Sequence, residues 1–342
     1  MAVKEISERA QRVYKEAIVA DMLEALMPAK DVGYFKKTVD AGVTVIHATL
    51  PWVTDDLPAA INKIAQFMKL VENTESAEMV STVADIDNAK REGKLAIIPG
   101  MQDSIPFERD LDLVRIFHKL GIRVMMPAYS RQNYLGAGCT EEVDHGLTEQ
   151  GRKAVKEWNR LGILADVSHC GDQTAIDTAE CSEAPIAITH STPYTLVEMN
   201  RAKKDQTIKT VAAKGGVIGQ VIMSAFCERR DKMGTWPTLS DFVDIVDYLV
   251  NLVGVDHVGF GFDLVPFWTA EEWNAPAHMD VAAHLVYPHK EPPFERVYVQ
   301  GFKDHSDTIK IAEELVRRGY SDGDIKKILG GNWLRLLREV WK

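Results

Sequence analysis

Three short apolar runs decide the fold: LGILADVSHC at 161–170, APIAITH at 184–190 and HVGFGFD at 257–263. Each passes through Val, Ile, Leu, Ala or Gly with little polar alternation and reaches a side chain able to hold a metal, His169, His190 and Asp263. Runs of this kind are what strands buried on both faces look like. As parallel strands of one barrel, they bring those three side chains to its C-terminal rim, the face where such barrels do chemistry. Two imidazoles and a carboxylate suit a borderline cation such as zinc, with positions left for water or substrate. Asp263 serves there either as a ligand or as general base to a water. A lone histidine beside an apolar run is more often a satisfied core residue; the pairing of two, each ending a strand, is what points to a metal.

Working outward, further apolar runs lie at 17–20, 43–50, 95–100, 122–128 and 217–223; with 163–167, 185–189 and 257–262 they make eight candidate strands. Helical patterns separate them. LDLVRIFHKL (111–120) places apolar residues at i, i+3, i+6 and i+7. The stretch 148–161 is bracketed by Gly146 and Gly162, and 240–253 opens on Ser240 as N-cap and stops at Gly254. This alternation predicts an α/β fold, a closed (β/α)8 TIM barrel, with an open doubly wound sheet as the alternative. No Gly-x-Gly-x-x-Gly opens a helix after the first strand, so a dinucleotide site has no support. The expected organisation is one domain over 1–342, with a charged N-terminal helix, a long loop at about 265–304 and two C-terminal helical pieces at 322–329 and 332–341. A loop of that length reads as a lid or binding wall. Trp268 and Trp273 within it are either wall residues or packing anchors.

Composition narrows the function classes. The chain is 46% hydrophobic and 26% charged, with a formal net charge of −10, as in ordinary soluble globular proteins. No Lys/Arg block stands out, which speaks against nucleic-acid binding. No apolar run reaches the length of a membrane span. The opening MAVKEISERAQRVYKEA lacks the features of a signal peptide. A cytoplasmic setting is therefore expected, with Cys139, Cys170, Cys181 and Cys227 as free thiols.

The segment GLTEQGRKAVKEWNRLGILADVSHCGDQT (146–174) resembles the membrane dipeptidase (renal dipeptidase, peptidase M19) family of the amidohydrolase superfamily. The likeness continues through APIAITHSTPYTL, NRAKKDQTIKTVAAKGGVIG, VDHVGFGFD and KKILGGNWLRLL, over most of the chain from about residue 94. It implies an amidohydrolase-like barrel and a homodimer. It also implies second-metal histidines at His169 and His190, the catalytic aspartate at Asp263, and the arginine that holds the substrate carboxylate at Arg201. A planar guanidinium suits that last role; a solvated loop charge is the plain alternative. The departures are equally specific. The family's first-metal His-x-Asp pair falls at Leu23 and Ala25, its bridging glutamate at Gln102, and the histidine that polarises the scissile carbonyl at Tyr129.

Leu23 and Ala25 cannot ligate and a neutral Gln ligates poorly, so one zinc ion, or none, is expected. Asp21, Glu24 and Asp103 stand close in sequence to the missing ligands. Cys139 falls in the loop after the fourth candidate strand, where a thiolate can ligate or attack and a small buried thiol is the alternative. Tyr129, Arg131, Gln132 and Asn133 form a polar wall, with Tyr129 either donating to an oxyanion or serving as a structural hydroxyl. The expected function is a metal-dependent, dipeptidase-like amidohydrolase cleaving an amide C–N bond in a small carboxylate-bearing substrate. Asp263 activates water, Arg201 binds the carboxylate, and Tyr129 or Gln102 meets the carbonyl oxygen. A metal-independent or non-hydrolytic enzyme on the same scaffold, such as a lyase or a small-amine catabolic enzyme, is the alternative, and a non-catalytic small-molecule binder the third.

Overall fold

The computed structural model describes residues 5–26, 31–273 and 292–342. Its strands are β1 (Ala20–Glu24), β2 (Val45–Thr49), β3 (Ala77–Met79), β4 (Leu95–Met101), β5 (Val124–Met125), β6 (Leu164–Ala165), β7 (Ala187–Ser191), β8 (Val217–Gln220) and β9 (Val258–Phe260). They pair in parallel in the orders β1-β2-β4-β5-β6 and β7-β8-β9. Parallel bridges at Asp166–Ala187 and Glu24–Leu264 join the two arrays. The Val167 N–H donates to the Ala187 carbonyl at 2.9 Å, and the Ala25 N–H to the Leu264 carbonyl at 2.8 Å. Eight strands thus close into a barrel, and the open sheet is set aside.

β3 pairs with Leu95–Ile97 of β4, on the edge that β5 takes over at Gly100 and Met101. Three residues are too few for periodicity to reveal, so this strand went unexpected. The first strand runs Ala20–Glu24 instead of 17–20, because Asp21 and Glu24 interrupt the apolar run and yet are buried. Residue 17 instead caps the helix Glu8–Glu16.

Side chains alternate between two cores. Ala20, Met22, Val45, Ala96, Ile98, Val124, Leu164, Ala187 and Val217 fill the barrel interior, while Ile46, Ile97, Met125, Ile188 and Ile218 pack toward the helices. The C-terminal helix Asn332–Val340 adds Trp333, Leu336 and Leu337 to the interior cluster. Each such buried leucine contributes about 1.5–3 kcal/mol. Gly259 makes room for this plug, since a Cβ there would stand 2.3 Å from Trp333 Nε1. Asn332 Nδ2 donates to the Val255 and Val258 carbonyls at 2.7 and 2.8 Å, and Arg335 to that of Gly215 at 2.9 Å. The plug therefore closes the N-terminal ends of the strands and leaves the C-terminal rim for a site.

The helices follow their caps. Thr148 Oγ1 accepts from the Gly151 N–H at 3.0 Å and Gly162, at φ 73°, ends the helix Glu149–Leu161. The helix Leu239–Val253 starts earlier than Ser240. Thr238 is its N-cap, and Asp241 Oδ2 reaches back to the Thr238 N–H at 2.8 Å to complete a capping box. Of the long loop, 274–291, including Pro276 and Pro288, lies outside the described residues. At its edges Trp268 sits 5.7 Å from the Trp52 ring and 6.2 Å from Trp273, whose Nε1 donates to the Pro292 carbonyl at 3.1 Å. Both tryptophans anchor the loop ends. Among the described residues no helix is long and apolar enough to cross a membrane.

Candidate metal and catalytic site

Beyond β6 and within β7, at the rim, His169 Nε2 and His190 Nε2 face each other at 3.0 Å. Asp166, 1% exposed, organises this approach. Its Oδ1 accepts from the Ser168 N–H (3.0 Å), the Ser168 hydroxyl (2.5 Å) and the Thr189 N–H (3.0 Å), and its Oδ2 accepts from the Thr189 hydroxyl at 2.6 Å. The Thr189 oxygen then meets His190 Nδ1 at 2.7 Å. His169 Nδ1 faces the Ser130 hydroxyl at 3.3 Å. The Thr189 carbonyl passes between Gly219 and Gly261, where a Cβ would stand 1.9 and 2.0 Å away, so neither position tolerates a side chain.

Both imidazoles titrate well below the ordinary histidine range, first because burial disfavours the cation and second because of the Arg201 charge. They are neutral at neutral pH, as metal ligands must be. Two nitrogens about 2.0–2.1 Å from one tetrahedral ion stand about 3.3 Å apart, so the observed spacing fits a shared cation. The hydroxyl and carboxylate partners on both Nδ1 sides supply the outer shell that such ligands use.

Asp263 is differently placed. Among the described residues it is the non-glycine with positive φ, at 61°, a left-handed turn that aspartate tolerates at modest cost. Its N–H donates to the Leu23 carbonyl at 3.0 Å. Burial pushes its carboxyl up to about 6, against the opposing pull of Arg201. It does not close a three-donor set with the histidines. Among the described residues, the group whose donor atoms all lie within 4.8 Å of one another is Asp21, Glu24 and His305.

Arg201 is no solvated loop charge. It is 1% exposed, its Nη2 donates to the His190 carbonyl at 2.9 Å and its Nη1 to the Ser168 carbonyl. Part of its donor set is thus committed to the strand ends that carry the histidines. The Tyr129 ring stacks on His169 at 3.7 Å between centroids. Its phenol is held well above the ordinary range, by burial first and by Asp263 second, so it stays a donor. The Cys139 N–H donates to the His169 carbonyl at 2.8 Å, which places this half-buried thiol beside the pair. Cys170 is buried behind it, its thiol pushed up to about 12 by burial.

Gln102, just past β4, is buried with no donor to its Oε1. Asn133 is occupied inside its own loop. Its Nδ2 shares two hydrogens among Asp103 Oδ1 (2.9 Å), Ser104 Oγ (3.0 Å) and the Pro127 carbonyl (2.8 Å), and its Oδ1 accepts from the Leu135 and Gly136 N–H groups. These bonds shape the loop. Asp103, raised to about 6 chiefly by burial, accepts from the Tyr129 N–H at 3.0 Å.

Sequence reasoning missed several participants. Asp166, Ser168 and Thr189 lie inside the very runs treated as apolar strands. His47, on β2, donates from Nδ1 to the Met22 carbonyl at 2.9 Å and leaves Nε2 buried without a partner among the described residues. Gly100 permits this, since a Cβ there would stand 2.0 Å from that nitrogen. His305 gave no signal at all.

The chain matches membrane dipeptidase (peptidase family M19) over residues 9–274 and 294–342. It is 29% identical to dipeptidase tcpJ of Claviceps purpurea over 82% of this chain and 59% of that protein. It is 23% identical to mouse dipeptidase 3 over 87% of this chain and 55% of that protein. The chain thus spans little more than half the length of these relatives. An amidohydrolase from Pseudomonas aeruginosa superimposes with a TM-score of 0.86 at 30% identity, covering 97% of this chain and 99% of that one. A metallo peptidase from Rhodobacter sphaeroides, liganded with a phosphinate mimic of the dipeptide L-Ala-D-Ala, shares the fold with a TM-score of 0.77 at 21% identity, covering 95% of this chain and 100% of that one.

Proposed function

We propose that this chain, which belongs to the membrane dipeptidase family, is a metal-dependent hydrolase of amide C–N bonds in a small, dipeptide-like substrate bearing a carboxylate. The observation that carries this reading is the 3.0 Å approach of two neutral imidazole Nε2 atoms, each backed by a hydroxyl. His169 and His190 would hold a divalent cation, which supplies Lewis acidity toward a carbonyl oxygen and a water. Asp263, with its carboxyl near 6, is ionised at neutral pH. It takes a proton from the attacking water at a carboxylate oxygen and returns it to the leaving amine. The Tyr129 phenol donates to the carbonyl oxygen as charge develops there. Arg201 supplies the positive charge for the substrate carboxylate through the N–H groups not bound to the strand ends. Gln102 Oε1 accepts from a substrate N–H, and Cys139 lines the approach. Zinc as the ion, one ion at this centre, a homodimeric assembly and a cytoplasmic setting belong to the same proposal.

A second reading has its own support. Leu23, Ala25 and Gln102 stand where the family's other ligands fall by resemblance, which favours a non-hydrolytic or metal-independent reaction, such as a lyase, on this scaffold. The test is a panel of L,L- and L,D-dipeptides with added zinc, run beside His169→Ala. Amide cleavage that follows metal content and disappears in the variant supports the hydrolase, with slow turnover of ordinary L-dipeptides expected. A zinc-loaded protein that leaves the whole panel intact overturns it in favour of the second reading.

A further inference from the structure

We propose that the chain binds a second divalent cation at a separate site formed by Asp21, Glu24 and His305. Asp21 and Glu24 belong to β1, and His305 opens the short turn His305–Asp307 after the long loop. The three are 1%, 0% and 2% exposed, and their donor atoms lie within 4.8 Å of one another.

The arrangement resembles a ligand set more than an ion pair. Each carboxylate is fixed through one oxygen and presents the other to the imidazole. Asp21 Oδ1 accepts from the Phe262 N–H at 2.7 Å and the Leu23 N–H at 3.2 Å. Glu24 Oε2 accepts from the Tyr34 hydroxyl at 2.9 Å. Asp21 Oδ2 and Glu24 Oε1 then both face His305 Nε2, the first at 3.6 Å and the second in direct contact. One imidazole nitrogen carries at most one proton, so it serves one of the two oxygens. Glu24 takes it, and Asp21 Oδ2 is left buried with no donor. With two buried carboxyls against one imidazole, one carboxyl must hold either an unpaired charge or a proton that a bound cation would displace, and burial makes the unpaired charge costly. A divalent cation satisfies both oxygens and the nitrogen together. Two oxygens and one nitrogen suit ions of the zinc and manganese class, and the Tyr34, Leu23 and Phe262 donors form the outer shell that orients such ligands. His305 Nδ1 has no partner with either a proton or a cation opposite it, so it decides nothing.

The location gives the ion a role. Glu24 bridges to Leu264 at the seam where the barrel closes, and Leu23 receives the Asp263 N–H. A cation here ties β1 to the segment that follows the long loop, directly behind the turn that positions Asp263. It is a structural staple and shares no residue with the histidine pair.

The experiment strips the full-length protein with chelator, re-dialyses it against zinc alone and, in parallel, manganese alone, and counts ions per chain by elemental analysis. Two zinc ions are expected for the wild type, one for His305→Gln, one for His169→Ala and none for the double variant. Anomalous diffraction from metal-soaked wild-type crystals should place a peak between Asp21, Glu24 and His305, which decides the matter even where a variant fails to fold. A His305→Gln protein with wild-type stoichiometry, or an anomalous map with density at the histidine pair alone, overturns the proposal. Loss of the ion in His305→Gln with retention in His169→Ala supports it whatever becomes of the catalytic reading.

Discussion

Exchanging Asp166 for Asn alters one atom of a buried hub and should uncouple the histidine pair from its metal. In the wild type the Thr189 hydroxyl proton is committed to Asp166 Oδ2 at 2.6 Å. The Thr189 oxygen can then only accept from His190 Nδ1, at 2.7 Å. That fixes His190 as the Nδ1–H form and leaves the Nε2 lone pair facing His169. An Asn keeps its oxygen where three donors converge, Ser168 N–H, Ser168 Oγ and Thr189 N–H. Its NH2 therefore falls against the Thr189 oxygen, which becomes the acceptor. The hydroxyl proton turns to His190 Nδ1 and drives the ring to the Nε2–H form, which cannot ligate. Loss of such an outer-shell partner costs 10–100-fold in metal affinity, or about 1.4–2.8 kcal/mol. Losing the charge on a bond of this kind costs about 1.5–3 kcal/mol of stability besides. Zinc competition against a chelating dye reads the first quantity, and denaturant unfolding of the metal-stripped protein reads the second. Thr189→Ser retains the hydroxyl and should keep wild-type affinity. A folded Asp166→Asn protein that binds zinc within twofold of wild type would refute the tautomer argument.

Three further outcomes are expected. Because burial lifts Asp263 to about 6, kcat/KM should rise with pH through about 6, not 4, and Asp263→Asn should abolish that limb and lower kcat by roughly 10²–10⁴-fold; a wild-type limb centred below 5 counts against Asp263 as the base. Burial also raises Asp21 to about 8, over the opposing charge of His305, so the metal-stripped folded state binds a proton that the unfolded chain has lost. His305 is itself raised, since its burial is outweighed by Glu24 and Asp21, and the stability it contributes is lost as pH climbs past its folded value. Both terms have the same sign, opposite to that of the buried neutral histidines, so it is the difference in stability between wild type and Asp21→Asn, measured by urea unfolding, that should fall from pH 5 to pH 8; a difference that stays constant across this range means the carboxyl does not titrate as argued. Arg201→Ala removes the donors that the Ser168 and His190 carbonyls receive, so it should lower zinc content as well as raise KM, whereas a pure KM effect at full zinc occupancy would confine Arg201 to substrate binding.

What the sequence made legible follows from the burial of parallel strands. Strands covered on both faces carry continuous apolar runs, so β2 and β4 through β9 stand out together with the histidines at the rim. β1 does not, because Asp21 and Glu24 mimic a surface segment while sitting at the barrel seam. Asp166, Ser168 and Thr189 escaped notice for a related reason, since small polar residues inside an apolar run look like tolerated exceptions until their mutual bonds are seen. Asn133 shows the opposite case, a residue whose loop bonds its neighbours do not announce. Its neighbours suggested a wall, but an amide in a tight loop satisfies backbone groups first. His305 lies 281 positions from Glu24, and no local pattern encodes a partnership at that range.

The charge inventory of the rim bears on the proposal of one ion there. His169 and His190 are neutral, Arg201 and the buried Lys203, which acts on both imidazoles, bring positive charge, and Asp263 and Asp166 each bring a carboxylate. One divalent cation on the histidine pair would bring the positive total to four against two, which an anionic substrate would offset. This favours a carboxylate-bearing substrate over a neutral amide on electrostatic grounds. A second ion at the spacing of two-metal sites, about 3.5 Å away, would meet a repulsion of roughly 19 kcal/mol at an effective dielectric near 20. A bridging carboxylate is what ordinarily offsets that repulsion. By resemblance the bridging position here is Gln102, which brings no charge. On the proposed reading, an uncharged Gln102 disfavours a paired centre, and Leu23 and Ala25 are positions with no ion to hold. The carboxylates that β1 does carry, Asp21 and Glu24, meet His305 in a set that includes neither histidine of the pair.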